Sequence, residues 1–307
     1  MADHAVDTLL ARLFTKDRAA LARLLSLAAQ GEHLPEILHA LPAATKPSRV
    51  VAFTGSGGVG KSSLVGRLIP VIRSARLSVA VLACDPQSSV TGGALLGDRF
   101  RMGSAIDDGI FIRSLAAPGG RGAVAEHLDV MIRLLETFGF DVVLLETVGA
   151  GQGDVAARDL ADAVVLLLQP EAGDDIQWEK AGILELADVV VVHKADLPTA
   201  EQTAAQVRMA LDLSMATHGR PVLRVSSQRN QGHAELWQTL AALPLRRGAR
   251  SDGDALLRWT QAWLARRFAA LDREATPEWQ TLAATWRTLP EAEVARRLLA
   301  MLVPGPG

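Results

Sequence analysis

Six short runs of apolar residues punctuate the middle of the chain, at 50–53, 79–83, 142–145, 164–168, 189–192 and 222–225. They are rich in valine and leucine and barely alternate with polar residues. A strand covered on one face alternates, whereas a strand covered on both faces does not. These runs therefore predict the interior of a parallel sheet. Stretches with helical spacing separate most of them, over 62–75, 124–138 and 200–217. Such alternation predicts an α/β fold with a doubly wound, mostly parallel sheet. Sheets of this kind bind ligands at the carboxyl ends of their strands.

The flanks read differently. Before the first run, Leu9, Leu10, Leu13, Leu21, Leu24 and Leu25 recur at helical spacing among Arg12, Lys16, Asp17 and Arg18. Gly31 and Pro35 interrupt that pattern, and Pro42 and Pro47 mark a linker. After Pro244, residues 245–254 are basic and contain glycine. Helical patterns follow, carrying Trp259, Trp263, Phe268, Trp286 and Leu298. The expected organisation is a helical extension over 1–48, a sheet domain over 49–245 and a helical arm over 246–307. A thin arm must bury its tryptophans somewhere. The expectation is dimerisation, with a cap on the core as the alternative.

Composition narrows the class. The chain has 307 residues, 49% hydrophobic and 21% charged, enough for one sizeable α/β domain with helical additions. A net charge of -2 offers no basic surplus for nucleic acid. Cys84 is the single cysteine, so no intrachain disulfide forms, and a reducing compartment fits. The amino end lacks a secretory pattern, and the longest apolar runs, such as 164–168, are too short to span a bilayer. The expectation is a cytoplasmic protein without membrane contact.

The strongest chemical signal lies between the run at 50–53 and the helix from 62. Gly55-Ser56-Gly57-Gly58-Val59-Gly60-Lys61-Ser62 is a full GxxxxGK[ST] phosphate loop in its strand–loop–helix context. Glycines let the backbone wrap a phosphate, and the helix amino end adds positive potential. Lys61 is expected on the β- and γ-phosphates, Ser62 on Mg²⁺ and Ser63 on the α-phosphate. Mg²⁺ needs further oxygens, and Asp85 and Glu146 stand just past two predicted strands. Gly149, three residues after Glu146, is placed to give its N–H to the γ-phosphate and to move when that phosphate leaves.

His193-Lys194-Ala195-Asp196 follows the run at 189–192 and resembles the guanine-reading NKxD element, with histidine in place of asparagine. The Asp196 carboxylate would accept from guanine N1–H and N2–H₂, a donor pair that adenine lacks. Lys194 would pack along the base. Ser226 and Ser227, after the run at 222–225, sit where a second base-contacting loop belongs.

Longer motifs carry a family resemblance. Residues 85–102, from Asp85-Pro86-Gln87-Ser88-Ser89 to Gly97-Asp98-Arg99-Phe100-Arg101-Met102, resemble the DPSSxxSGGxxLGDxxRM stretch of the MeaB/ArgK family. Phe111-Ile112-Arg113-Ser114, Glu146-Thr147-Val148-Gly149-Ala150-Gly151-Gln152 and Ala172-Gly173-Asp174-Asp175-Ile176-Gln177 with Lys180 resemble three more of its segments. The resemblance covers roughly residues 10–300. It implies a GTPase with an α/β G domain and helical arms, usually a homodimer. The implied task is nucleotide-gated handling of adenosylcobalamin for a cobalamin-dependent acyl-CoA mutase. It also implies that Asp85, Asp98 and Glu146 belong to the Mg²⁺ and first-switch region. Asp174 and Lys180 would couple nucleotide state to the mutase. Gln87, His193, Trp178 and Glu179 depart from the family pattern.

Phosphoryl transfer to water needs positioning and charge neutralisation. Lys61, Asp98 and Gln152, the last as a water-positioner, are the candidate catalytic residues, and Arg101 is a candidate phosphate or partner contact. Slow intrinsic hydrolysis, raised by the partner, is expected. Two other readings stay open. A nickel-type metal-insertion GTPase would want a Cys/His cluster, and the seven histidines are scattered. An ATP-dependent kinase or ATPase would conflict with Asp196.

Overall fold

A computed structural model of the chain describes residues 3–42, 46–86, 108–117, 127–147, 158–170, 181–213 and 215–247. Of the carboxy-terminal part it describes 260, 264, 267, 268, 271, 272 and 274–302. The chain forms two compact units, Met1–Gly248 and Ala249–Gly307.

The first unit is built on seven parallel strands: β1 (Arg49–Gly55), β2 (Val79–Pro86), β3 (Ile110–Ala117), β4 (Val142–Glu146), β5 (Ala163–Leu168), β6 (Val189–His193) and β7 (Val222–Val225). Their order is β3-β2-β4-β1-β5-β6-β7. The chain fills one side of β1 with β2, β3 and β4, then crosses to the other for β5, β6 and β7. The switch falls beside β1, which pairs with β4 through Phe53 and Glu146 and with β5 through Gly55 and Leu167. That is where an open α/β sheet leaves a crevice for ligands.

Period-two alternation divides the core. Val50 and Ala52 share one buried cluster with Leu82, Val143 and Met131. Val51 and Phe53 share another with Leu64, Leu68, Leu236 and Leu240. The first layer holds α1 (Asp3–Phe14), α2 (Arg18–Gln30), α3 (Leu34–Ala40) and α5 (Leu128–Phe138). The second holds α4 (Lys61–Ser74) and α8 (His233–Ala242). The short α6 (Ala181–Leu186) and the longer α7 (Ala200–Asp212) complete the unit near β5, β6 and β7.

Six strands fall where the apolar runs predict them, and β3 is additional. Among the described residues it is an edge strand, paired to β2 alone. It buries Phe111 and Leu115 but also carries Arg113, whose guanidinium donates to Ser26 Oγ of α2 at 2.7 Å. The amino-terminal helical stretch is broken at residues 15–17. Lys16 turns left-handed (φ 65°), and the Asp17 carboxylate accepts from the N–H groups of Ala19 and Ala20 to cap α2. Pro35 opens α3 rather than only interrupting a pattern, because a first helical turn has no use for the missing N–H. α7 stops at Asp212, short of the expected 217, and the Thr217 hydroxyl donates to Leu211 O at 2.7 Å.

Polar side chains lock the amino ends of the strands. Asp162 accepts from Val50 N–H at 2.9 Å and from Arg247 N–H at 2.8 Å. Glu136, almost fully buried, takes the Arg247 guanidinium at 2.8 Å and Ser48 N–H at 3.2 Å. Removing one partner of a buried ion pair strands the other charge. Arg247→Ala is therefore expected to lower the unfolding free energy by about 3 kcal/mol, read as a lower urea midpoint at unchanged slope.

In the second unit, α9 (Pro277–Thr285) leads through a 3₁₀ turn at Trp286–Thr288 into α10 (Glu291–Leu302). Thr276 caps α9 by accepting from Trp279 N–H at 3.3 Å, and Trp279 lies 6.5 Å from the Phe268 ring. Trp286 and Leu299 are exposed. No described helix is long and apolar enough to cross a membrane.

Candidate nucleotide site

The phosphate loop leaves β1 at Gly55 and enters α4 at Lys61. Gly58 (φ 75°) and Gly60 (φ 100°) adopt backbone that side-chain-bearing residues avoid. A Cβ on Gly57 or Gly58 would meet nothing within 4 Å among the described residues, which leave this part of the loop open to a ligand. A Cβ on Gly55 would stand 2.5 Å from Leu167 O, and one on Gly60 2.5 Å from the His193 ring. Two glycines thus leave room for a ligand and two permit close packing. Gly60→Ala combines an unfavourable φ with a collision. It is expected to lower stability by about 1–3 kcal/mol and to weaken GDP binding, checked by urea unfolding and calorimetry.

Lys61 is 8% exposed, and its ammonium donates to the carbonyls of Gly55 (2.8 Å) and Ser56 (3.2 Å). The charge is thereby held at the mouth of the loop. Val59 is buried, and Ser63 lies exposed on the first turn of α4.

Ser62 Oγ donates to Glu146 Oε1 at 2.6 Å. Glu146 ends β4, and Thr147 donates from both N–H and hydroxyl to Phe53 O at 3.1 and 3.2 Å, fixing that strand end beside β1. A hydroxyl and a carboxylate meeting under a phosphate loop supply the oxygen-only donors that Mg²⁺ takes, so these residues fit the ion. The backbone of Asp85 lies in β2, two residues past Ala83, which pairs with Glu146. Its side chain lies outside the described residues, as do Asp98, Arg101, Gly149, Gln152, Asp174 and Lys180 in full.

The base side is built by the ends of β6 and β7. Lys194 is left-handed (φ 55°) and donates to Gln169 Oε1 at 3.1 Å. The Ser226 hydroxyl donates to Asp196 Oδ1 and accepts from Arg229 N–H at 3.2 Å. Paired backbone hydrogen bonds between Ser226 and Gln231, each 3.0 Å, close that loop. The Ser226 hydroxyl and then a backbone N–H hold the Asp196 carboxyl below its ordinary range. It is therefore an anion with acceptors only, which is what a guanine edge requires.

His193 is buried between the two loops. Its Nδ1 donates to Val59 O at 2.7 Å and its Nε2 meets Ser227 Oγ at 2.8 Å. Burial pushes its pKa down, so the ring is neutral. The histidine thereby ties the base loop to the phosphate loop. Both ring nitrogens are used within the protein. Gln169 and Arg229 were not anticipated, because they reach the site only through the fold.

A parallel sheet that changes direction at β1, with this glycine loop, Lys61 and the Ser62–Glu146 pair at the switch, defines a P-loop nucleotide hydrolase. The chain belongs to the MeaB family, described as methylmalonyl-CoA mutase-associated GTPase, whose model matches residues 21–254. A protein of Pyrococcus abyssi named as a GTPase is 40% identical over 242 residues, covering 76% of this chain and 75% of its own. The fused isobutyryl-CoA mutase of Cupriavidus metallidurans is 40% identical over 185 residues, 59% of this chain and 17% of that protein. Among solved structures, a LAO/AO transport system kinase superposes over 97% of this chain and 98% of its own, with a TM-score of 0.65 and 22% identity, which shows a shared fold. The activity is GTP hydrolysis.

Proposed function

We propose that this GTPase gates the loading, removal or protection of adenosylcobalamin in a cobalamin-dependent acyl-CoA mutase. The observation that carries the reading is the fused relative. Its name is that of an isobutyryl-CoA mutase, and 17% of its length aligns with this chain at 40% identity. The family description, which associates the GTPase with methylmalonyl-CoA mutase, points the same way.

In this reading the N–H groups of Gly57, Gly58, Val59 and Gly60 and the amino end of α4 cradle the phosphates. Lys61 neutralises charge on the β- and γ-phosphates. Ser62, Glu146, Asp85 and Asp98 would hold Mg²⁺, which when bound shields the phosphate oxygens. Gln152 orients the attacking water, and Gly149 follows the γ-phosphate. Lys194, Asp196, Ser226 and Ser227 receive guanine. Arg101, Asp174 and Lys180 carry the nucleotide state to the mutase. Adenosylcobalamin is cargo handled through the partner. The arm over 246–307, with its exposed Trp286 and Leu299, joins two copies into a homodimer. The proposed setting is the cytoplasm.

Size-exclusion chromatography with light scattering tests the partnership. The full chain would be mixed with a cobalamin-dependent acyl-CoA mutase, with Mg²⁺ and either GDP or a non-hydrolysable GTP analogue. The expected result is a complex whose stability differs between the two nucleotides. No complex with either nucleotide would remove the reading.

A further inference from the structure

Behind the base loop lies a second buried histidine that the nucleotide chemistry has not used. His233 is the first residue of α8 and is 3% exposed. Its Nε2 lies 3.4 Å from Ser227 Oγ, the same hydroxyl that meets His193 Nε2 at 2.8 Å. Gly232 brings it there. A Cβ on that glycine would stand 2.5 Å from Arg224 O, so α8 starts tight against β7. We propose that His233 is a positioning residue for the nucleotide site, acting through Ser227 and His193 on the phosphate loop.

Counting protons fixes the direction of each bond. Val59 O can only accept, so His193 Nδ1 must carry a proton. A neutral His193 then has a bare Nε2, which needs a donor. Ser227 has one proton to give, and giving it to His193 leaves its oxygen to accept. The group placed to donate is His233 Nε2–H. Its Nδ1 is then the bare nitrogen, and that atom is buried without a hydrogen-bond partner among the described residues. A bare acceptor is cheaper to bury than an unpaired N–H. Every bond therefore points one way, from His233 to Ser227, to His193, to Val59.

Burial pushes both histidines below their ordinary pKa, which keeps them neutral as this order requires. The tautomer of a histidine is set by the bond its other nitrogen makes. His233 thus selects the His193 tautomer that can donate to the phosphate loop. It also fixes the Ser227 hydroxyl, which without it is free to turn from His193. The result ties the base loop, the phosphate loop and α8 into one element. The inference uses the GTPase activity alone and does not depend on a mutase.

Release of a fluorescent N-methylanthraniloyl-GDP from the full chain, with Mg²⁺, tests it. The variants are His233→Leu, His233→Gln, Ser227→Ala and the double variant Ser227→Ala with His233→Leu. Coupled polar networks are separated by such a cycle. His233→Leu is expected to release nucleotide about tenfold faster. His233→Gln, whose amide N–H can take the place of Nε2–H, is expected to stay within about threefold of the natural protein. The double variant is expected to be no faster than Ser227→Ala alone. Should His233→Leu not fold, His233→Asn, whose shorter amide withdraws the donor from Ser227, replaces it with the same expectation. Additive losses in the double variant, a His233→Gln protein as fast as its leucine counterpart, or unchanged release on removing the donor would each overturn the proposal.

Discussion

Lys61→Ala is expected to lower the rate of GTP hydrolysis by about 10²–10³-fold while leaving the nucleotide-free protein folded. The ammonium sits at the head of α4, nearly buried, where it donates to the Gly55 and Ser56 carbonyls of its own loop. Those bonds fix where the charge stands. Both span no more than six residues of sequence. In phosphoryl transfer, negative charge spreads over oxygens that the protein must neutralise from fixed positions. A cation already in place needs no reorganisation at the moment of reaction. Lys61→Arg is not expected to rescue the rate, because a planar guanidinium does not occupy the place of a compact ammonium. Single-turnover hydrolysis, with circular dichroism as the control for folding, checks both variants. A hydrolysis rate within threefold of the natural protein would remove Lys61 from the chemistry.

Asp196→Asn is expected to weaken GTP binding by about 10²–10⁴-fold, the loss of two charge-assisted hydrogen bonds at about 1.5–3 kcal/mol each. It is also expected to create binding of xanthosine triphosphate. Ser226 donates to Oδ1 of Asp196. In the asparagine variant the amide oxygen keeps that bond, which turns the NH₂ group toward the base. Guanine offers donors at N1 and N2 and would face a donor. Xanthine carries an oxygen at position 2 and accepts from it. Competition of the two triphosphates against a fluorescent GDP measures the switch. Equal loss of both nucleotides would mean that Asp196 shapes the loop without reading the base.

The parts of the fold legible in the sequence were those governed by short-range pattern. Strands buried on both faces leave unbroken apolar runs, and six of the seven were visible on that account. β3 was not, because it lies at the edge and carries Arg113 and Ser114 in mid-strand. Its arginine is accommodated by Ser26, 87 residues away, which no window along the chain reveals. The end of α7 was misplaced for the opposite reason. Leu213 and Met215 continue the apolar content but are 89% and 96% exposed, so the content there marks no buried face.

The same division holds at the site. The phosphate loop and the residues ending β4 and β6 announce themselves by position after a strand. How the loops are joined does not. The substitution of histidine for asparagine at 193 was visible. Its use of one nitrogen for Val59 and the other for Ser227 follows only from the packing of three distant segments. His233 had no signal at all, being a lone histidine at a helix start.

The most direct test of the central claim is cofactor uptake by a mutase. Apo-mutase would be mixed with adenosylcobalamin and the full chain, with Mg²⁺ and GTP, GDP or no nucleotide. Cofactor binding would be followed by its visible absorbance. Nucleotide gating predicts that uptake in the presence of the chain differs between GTP and GDP, and that Lys61→Ala abolishes the difference. Uptake identical under all three conditions, with the GTPase bound to the mutase, would contradict the account.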